Sequence, residues 1–195
     1  MPVLLLVAAG LLLPPGIARA QMTDLERQRL LAHMEMTSAW LIDEVTGLSP
    51  AQLAFRRAPD EWSIAQVIDH LLVVSPIYWS DLQAAVKSAP AKSLLRNSDA
   101  DLLWYGIDRT FREKAIPSEV PKGRFTELGS ALAEYRKHHD RLVQYIRTTD
   151  DDLRSRQVPR QASDAYQWAL LISTHEQRHV LQIREIKRDS RFPRK

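Results

Sequence analysis

Two histidines stand four residues apart in the stretch STHEQRHVLQI, residues 173–183. They belong to HEQRH at 175–179, which matches H-E-x-x-H, the short pattern of zinc metalloproteases. Each residue of an α-helix turns about 100°, so His179 lies about 40° from His175 on one side and Gln182 about 20° on the other. The two imidazoles therefore share a helical face, at a spacing that suits chelation of one metal ion.

The apolar residues Leu171, Ile172 and Ile183 flank this face, which predicts that it points into the protein or into a pocket. A buried histidine destabilises the fold unless it has a polar partner. Two histidines on one inward face are harder to explain as core residues than one. Metal binding and ordinary hydrogen-bonded burial both remain open on this spacing alone.

A metalloprotease of this type needs a third ligand, usually downstream. The metzincin continuation requires glycine where Gln182 stands and histidine where Glu185 stands. No alternating strand pattern appears, whereas proteases commonly hold an extended substrate along a sheet edge. A H-E-x-x-H metalloprotease is therefore a minor alternative. A di-iron bundle is rejected, because it needs a second E-x-x-H and the sequence has one, at 176–179.

The third ligand is then expected upstream, where four histidines stand. His138 fits a solvated face, His139 a boundary position, and nothing in the sequence pairs with His33. His70 differs, because it lies in EWSIAQVIDHLL with Gln66 one turn before it on the same face. From the residues alone, Gln66 completing a helix cap and His70 packing in the core is the favoured interpretation.

The elements that must position these residues are helices. Apolar periodicity and capping signals predict long helices over 23–46, 63–86, 126–148 and about 163–187, with a short helical pattern at 99–111 and a turn after Pro50. Gly47 is expected to stop the first helix, and Pro76 to kink or break the second. The sequence thus predicts an all-α fold, a four-helix bundle with a long connection between helices 2 and 3 that leaves room for a crossover.

Composition limits the classes of protein. The 195 residues suit one domain, expected over 21–195, and the formal charge of +3 is spread along the chain. The basic stretch 184–195 fits a solvated helix end and tail, so no nucleic-acid partner is expected. The absence of cysteine excludes disulfides and means that any thiol must come from a substrate or cosubstrate.

The first twenty residues are interpreted as a signal peptide. VLLLVAAGLLL is too short to span a bilayer comfortably, so no stable membrane span is expected, and Ala18-Arg19-Ala20 supplies a small-x-small cleavage pattern. Export to the periplasm or medium is the prediction, although no basic residue precedes the apolar run. Translation from Met22 would instead leave a cytoplasmic protein.

Two segments together resemble the DinB/YfiT-like superfamily of metal-binding four-helix bundles. That family's patterns are W-S-x-x-Q-x-x-x-H-L at the start of helix 2 and H-x-x-x-H on the last helix, often followed by Gln-Ile. The matching residues here are Trp62, Ser63, Gln66, His70 and Leu71, then His175, His179, Gln182 and Ile183. The resemblance implies a triad of His70, His175 and His179 that holds a divalent ion, commonly zinc or nickel, in a cleft of the bundle.

Three neutral imidazoles suit such an ion and leave a coordination position for water or substrate. Glu176 and Gln66 are the candidate catalytic residues, as a general base or as groups that orient the ligands. The resemblance implies a metal-dependent hydrolase or a thiol-dependent transferase acting on a small-molecule substrate, with a non-catalytic or stress-associated metal-binding module as the alternative. A homodimer is left open. Trp79, Trp104 and Tyr105 are expected to pack in the core.

Overall fold

The computed structural model describes residues 21–91, 97–159 and 162–194, and this part of the chain is helical. Its six helices are α1 Asp24–Val45, α2 Pro50–Ala54, α3 Ile64–Lys87, α4 Asp99–Ile107, α5 Leu128–Thr148 and α6 Ala165–Lys187. Among these residues the only β-type pairing is an isolated bridge between Gln157 and Asp164. The predicted signal peptide, residues 1–20, lies outside the described residues. None of the described helices is long and apolar enough to cross a membrane.

The predicted helix starts and stops are confirmed at the caps. Thr23 and Glu26 form a capping box at the start of α1, and Ser63 and Gln66 form another at the start of α3. Gly47 follows the end of α1 with a φ of 72°, a conformation that glycine adopts without a steric penalty. The short helix predicted over 99–111 ends earlier, at Ile107.

Pro76 does not interrupt α3, which is continuous to Lys87. Proline has no N–H group, so it leaves the carbonyl of Leu72, one turn earlier, without its helical donor. The guanidinium group of Arg124 fills this place, since its Nη1 donates to the Leu72 carbonyl oxygen at 3.0 Å. Of the kink or break expected from the sequence, the break does not occur, and a donor from the connection between α3 and α5 satisfies the freed carbonyl.

The four long helices form a ring in which α5 and α6 each pack against both α1 and α3. Two apolar clusters fill it, a lower cluster that includes Leu30, Leu82, Ile146 and Leu170, and an upper cluster that includes Leu41, Ile68, Leu132 and Ile183. Along the chain α1 and α6 pass from the lower to the upper cluster, while α3 and α5 pass from the upper to the lower. The bundle is therefore up-down-down-up, and the connection between the parallel helices α3 and α5 is a crossover.

Between the two clusters lies a layer of buried polar side chains, here called the polar layer. Its members are Thr37 and Ser38 of α1, His70 of α3 and residues 173–179 of α6. On α5 the half-buried His138 and His139 lie between the apolar residues of the two clusters. Buried polar groups require hydrogen-bond partners, so the middle of this bundle is set by polar contacts rather than by apolar packing.

The crossover contains α4, which packs closely on α6. Gly106 allows this approach, because a Cβ atom there would lie 2.7 Å from Oε1 of Gln177 and 3.1 Å from the Thr174 carbonyl oxygen. The sequence gives no reason to expect this contact, since Gly106 stands in an ordinary short helical pattern.

We predict that Gly106→Ala lowers the free energy of unfolding by about 1–3 kcal/mol, because the added methyl group overpacks the contact between α4 and α6. Gly129→Ala is the control, since this residue lies in the exposed first turn of α5, where alanine favours a helix and the nearest atoms to an added Cβ are those of the exposed Glu127 carboxylate at 3.2 Å. Urea unfolding of both variants measures the difference. Equal stability of the two variants would contradict the close approach.

Candidate metal centre

Three histidines from two helices meet in the polar layer. The Nε2 atom of His175 lies 3.2 Å from Nε2 of His70 and 3.1 Å from Nε2 of His179. All three side chains are buried, and their ligand atoms lie close enough to hold one metal ion. The spacing on α6 places His175 and His179 together as predicted, and α3 brings His70 to them.

The outer nitrogens of two of these rings are occupied. Nδ1 of His70 lies 2.6 Å from the backbone carbonyl oxygen of Glu119, and Nδ1 of His179 lies 2.9 Å from Oε1 of Gln182. Both oxygens accept hydrogen bonds, so each Nδ1 carries the hydrogen and each Nε2 presents a lone pair to the centre. Such partners fix the orientation and basicity of metal-ligating histidines.

Burial keeps these imidazoles neutral, the form that binds metal. It lowers the pKa of His70, lowers that of His175 to about 3, and holds that of His179 well below its ordinary value. His70 and His179 each present a lone pair at Nε2, so a hydrogen bond between the three Nε2 atoms could come only from a hydrogen on Nε2 of His175. That single hydrogen would have to serve both short contacts. Tetrahedral zinc bound at ~2.0–2.1 Å would separate its nitrogen ligands by about 3.3 Å, near the distances observed. The donor set therefore fits a divalent ion.

Aromatic rings enclose the three histidines. The Trp62 ring lies 4.9 Å from the His70 ring and is stacked on that of His179 at 6.4 Å between centroids. The Tyr78 ring meets His175 edge-on at 5.6 Å. Apolar walls of this kind exclude water and strengthen the electrostatic interactions inside a site.

Asp69 positions the crossover beside His70. Its buried carboxylate accepts hydrogen bonds from the backbone N–H groups of Gly123, Arg124 and Phe125, at 2.7, 2.6 and 3.0 Å. The turn is possible because Gly123 adopts a φ of 74°. This anchor holds the segment whose Glu119 carbonyl oxygen contacts His70.

Glu176 is buried on the side of α6 that faces α1. Its Oε2 accepts a hydrogen bond from Thr37 Oγ1 at 3.3 Å, and Thr37 Oγ1 lies 3.1 Å from Ser173 Oγ. Ser173 Oγ in turn lies 2.7 Å from Nδ1 of His33. Burial raises the pKa of Glu176 to about 8, so its neutral form persists to higher pH than in a solvated glutamate.

Arg178 ties α6 to the crossover. Its guanidinium group donates to the carbonyl oxygen of Tyr105 at 3.0 Å and to those of Asp108 and Phe111, and it stacks on the Tyr105 ring. The Tyr105 and Asp108 carbonyls lie at the end of α4, where helical donors are missing, and the Phe111 carbonyl lies in the segment that follows. Arg178 therefore replaces donors at the helix end and also contacts the chain beyond α4.

A small cavity, partly open to solvent, lies beside the histidines. His175 and Glu176 lie on its wall, and it reaches His138, His139 and Arg141 of α5. The structure therefore places a candidate metal site beside a partly open cavity.

Several residues lie where the sequence did not place them. The solvated position favoured for His138 is wrong, since it is half-buried on the cavity wall with Nε2 3.7 Å from Glu134. His33 has partners after all, Ser173 and Gln177. The prediction that Trp104 packs in the core is also wrong, because this side chain is 65% exposed on α4.

The capping role of Gln66 is confirmed, since its Oε1 accepts from the Ser63 N–H at 3.1 Å. Sequence reasoning missed Asp69, Glu119 and Arg178. The signal for Asp69 was an acidic residue inside the apolar run VIDHLL. No local pattern marks Glu119, because its contribution is a backbone carbonyl oxygen brought in by the crossover.

The fold and the site together define a helical-bundle protein with a candidate three-histidine metal site. The model of the DinB superfamily matches residues 22–183, and the chain belongs to that superfamily. The uncharacterized protein YuaE of Bacillus subtilis (strain 168) is 29% identical over 148 residues, which span 74% of this chain and 89% of YuaE.

YfiT from Bacillus subtilis has a similar fold, with a TM-score of 0.59 and 17% sequence identity over 87% of this chain and 90% of YfiT. It is described as "a probable metal-dependent hydrolase with an unusual four-helix bundle topology". The similarity confirms the predicted resemblance and the predicted fold class.

We predict that Asp69→Asn lowers the free energy of unfolding by about 2 kcal/mol, because an amide replaces one acceptor oxygen and leaves a backbone N–H unpaired. Asp81→Asn, on the same helix and without this anchor, is the control. Urea unfolding gives the stability, and hydrogen exchange at residues 123–125 reports the local opening. Equal hydrogen-exchange protection of residues 123–125 in the two variants would refute the anchoring role of Asp69.

We predict that the metal-free protein is most stable at about pH 7. Below about pH 7 the histidines of the unfolded chain bind protons that the buried histidines do not, so stability falls as pH falls. Glu176 acts in the opposite direction between about pH 4.5 and 8, because the folded protein retains a proton that the unfolded chain has released. This contribution dominates above about pH 7, where the unfolded histidines are neutral, so stability there falls as pH rises.

Thermal or urea unfolding in EDTA across pH 5–8 measures both slopes. In Glu176→Gln the decline above about pH 7, about 1 kcal/mol per pH unit in the native sequence, should disappear. An unchanged alkaline slope in this variant would contradict the assignment to Glu176.

Proposed function

We propose that this protein binds one divalent metal ion through His70, His175 and His179 and is a metal-dependent hydrolase acting on a small molecule. The observation that carries the proposal is the convergence of three neutral Nε2 atoms beside a partly open cavity. The description of YfiT, which shares the fold, supports the same reaction class. Zinc or nickel is the proposed ion, since both accept three imidazoles.

Three protein ligands are typical of catalytic sites, because they leave a position for water or substrate. When bound, a divalent ion supplies Lewis acidity and a nucleophile at neutral pH. The chain's own contribution is orientation and a dry environment. The Glu119 carbonyl and Gln182 hold two imidazoles in the tautomer that directs Nε2 inward, and Trp62 covers them.

Glu176 is the proposed general acid or base. Its carboxyl group is buried on the cavity wall, and the raised pKa of about 8 allows it to hold or accept a proton near neutral pH. Thr37 orients it through the hydrogen bond to Oε2. Gln66, whose side chain is engaged in the α3 cap, is the weaker of the two catalytic candidates.

We predict a metal stoichiometry of one per chain in the native protein and a loss of bound metal in His70→Ala, His175→Ala and His179→Ala. His139→Ala is the control, since this histidine lies on the cavity wall but outside the cluster. Elemental analysis of the purified variants gives the result, with circular dichroism to confirm folding. Full metal retention in His70→Ala would refute the triad.

The reaction is tested by screening the metal-loaded protein against ester and amide substrates, with thiol-transfer substrates as a second panel. Hydrolysis that is lost in EDTA and restored by zinc or nickel supports the proposal. Turnover only with a thiol would assign a transferase instead. No turnover on either panel, with metal bound, would favour a non-catalytic metal-binding module.

A further inference from the structure

The cavity beside the histidines has chemically distinct parts. Its apolar wall includes Leu71, Val74, Leu142 and Ile172. His175 and Glu176 of α6 lie at one part, and Arg141 with His138 of α5 at another. An apolar space with a few placed polar groups is the usual form of a small-molecule site, in which the polar groups determine orientation.

The α6 part contains a polar atom without a partner. Oε1 of Glu176 is buried and has no hydrogen-bond partner among the described residues, while Oε2 is held by Thr37. A buried carboxyl oxygen left unpaired is costly, so such atoms in native proteins call for an explanation. A hydrogen-bond donor on a molecule in the cavity would satisfy it.

The α5 part contains a cation that no carboxylate neutralises. The Arg141 guanidinium lies 4.7 Å over the Trp79 ring, and its Nη2 lies 3.4 Å from Nδ1 of His138. Within the described residues Arg141 forms no ion pair. The neighbouring carboxylates are engaged elsewhere, since Glu134 pairs with Arg124 and Glu35 with Arg147.

Stacking on Trp79 restricts the Arg141 guanidinium while leaving its N–H groups available, because a ring face contacts the plane of the group. A planar guanidinium of this kind binds carboxylates through two parallel hydrogen bonds. The cavity therefore offers an acceptor at Glu176, an apolar middle, and a cationic donor at Arg141.

We propose that this cavity binds small amphiphilic carboxylates whose apolar body carries a hydrogen-bond donor. The carboxylate pairs with Arg141, the body packs between α1, α3, α5 and α6, and the donor faces Oε1 of Glu176. The idea that this molecule is the substrate rests on the proposed function, whereas its binding to Arg141 does not require metal.

The test compares N-acetylphenylalanine with its neutral amide, N-acetylphenylalaninamide, by isothermal titration calorimetry. These probes differ only in the charged end, and both carry an N–H donor. We expect the acid to bind at least about fivefold more tightly, the strength of a partly exposed charge-assisted pair. In Arg141→Gln this preference should vanish, while Arg136→Gln, an exposed arginine of the same helix outside the cavity, should retain it.

3-Phenylpropanoate, an acid without the N–H group, tests the donor and should bind more weakly than N-acetylphenylalanine. All titrations are run with zinc-loaded and with EDTA-treated protein. An acid preference that persists in Arg141→Gln would overturn the proposal, since it would show that the metal, in the zinc-loaded samples, or another group recognises the carboxylate. Equal affinity for acid and amide would also overturn it. The metal content of the same samples is measured as well, so that a loss of metal binding at the three histidines is distinguished from a failure of carboxylate binding at Arg141.

Discussion

The polar layer across the middle of the bundle is the constraint on which the rest of the structure depends. Apolar clusters above and below it would form from many helical sequences, because they require only the right periodicity. A buried layer of histidine, carboxyl and hydroxyl groups instead requires a specific partner for each atom, since an unpaired group in this environment is costly. The register of α1, α3 and α6 follows from this requirement.

One helix supplies most of that layer. In HEQRH the two histidines face His70 of α3, the carboxyl and amide groups between them face α1, and Arg178 reaches the end of α4. Consecutive residues of a helix point in different directions, so a helix surrounded on three sides can engage three neighbours within five residues. The stretch that matches a protease motif is thus the segment through which α6 contacts three neighbouring helices of the bundle.

The topology and the site depend on each other. Parallel α3 and α5 require a crossover, and the crossover supplies the carbonyl that orients His70, the donor that repairs α3 at Pro76, and the covering of α6 by α4. Asp69, next to His70 in sequence, holds this segment by its backbone. A simple up-down bundle with short loops would have no segment to serve these purposes.

The sequence by itself determined the helices, their caps and the pairing of His175 with His179, because periodicity and capping are local and a helix fixes the angle between near neighbours. The resemblance of two motifs added His70. Only the tertiary structure decided the partners of these side chains, since the Glu119 carbonyl, Asp69 and Arg141 reach the site from segments far apart in the chain. Backbone acceptors have no residue signature, and the sequence does not distinguish an exposed arginine beside a cavity from one elsewhere on the surface. The helix path at Pro76 was decided in the same way, by a donor 48 residues along the chain.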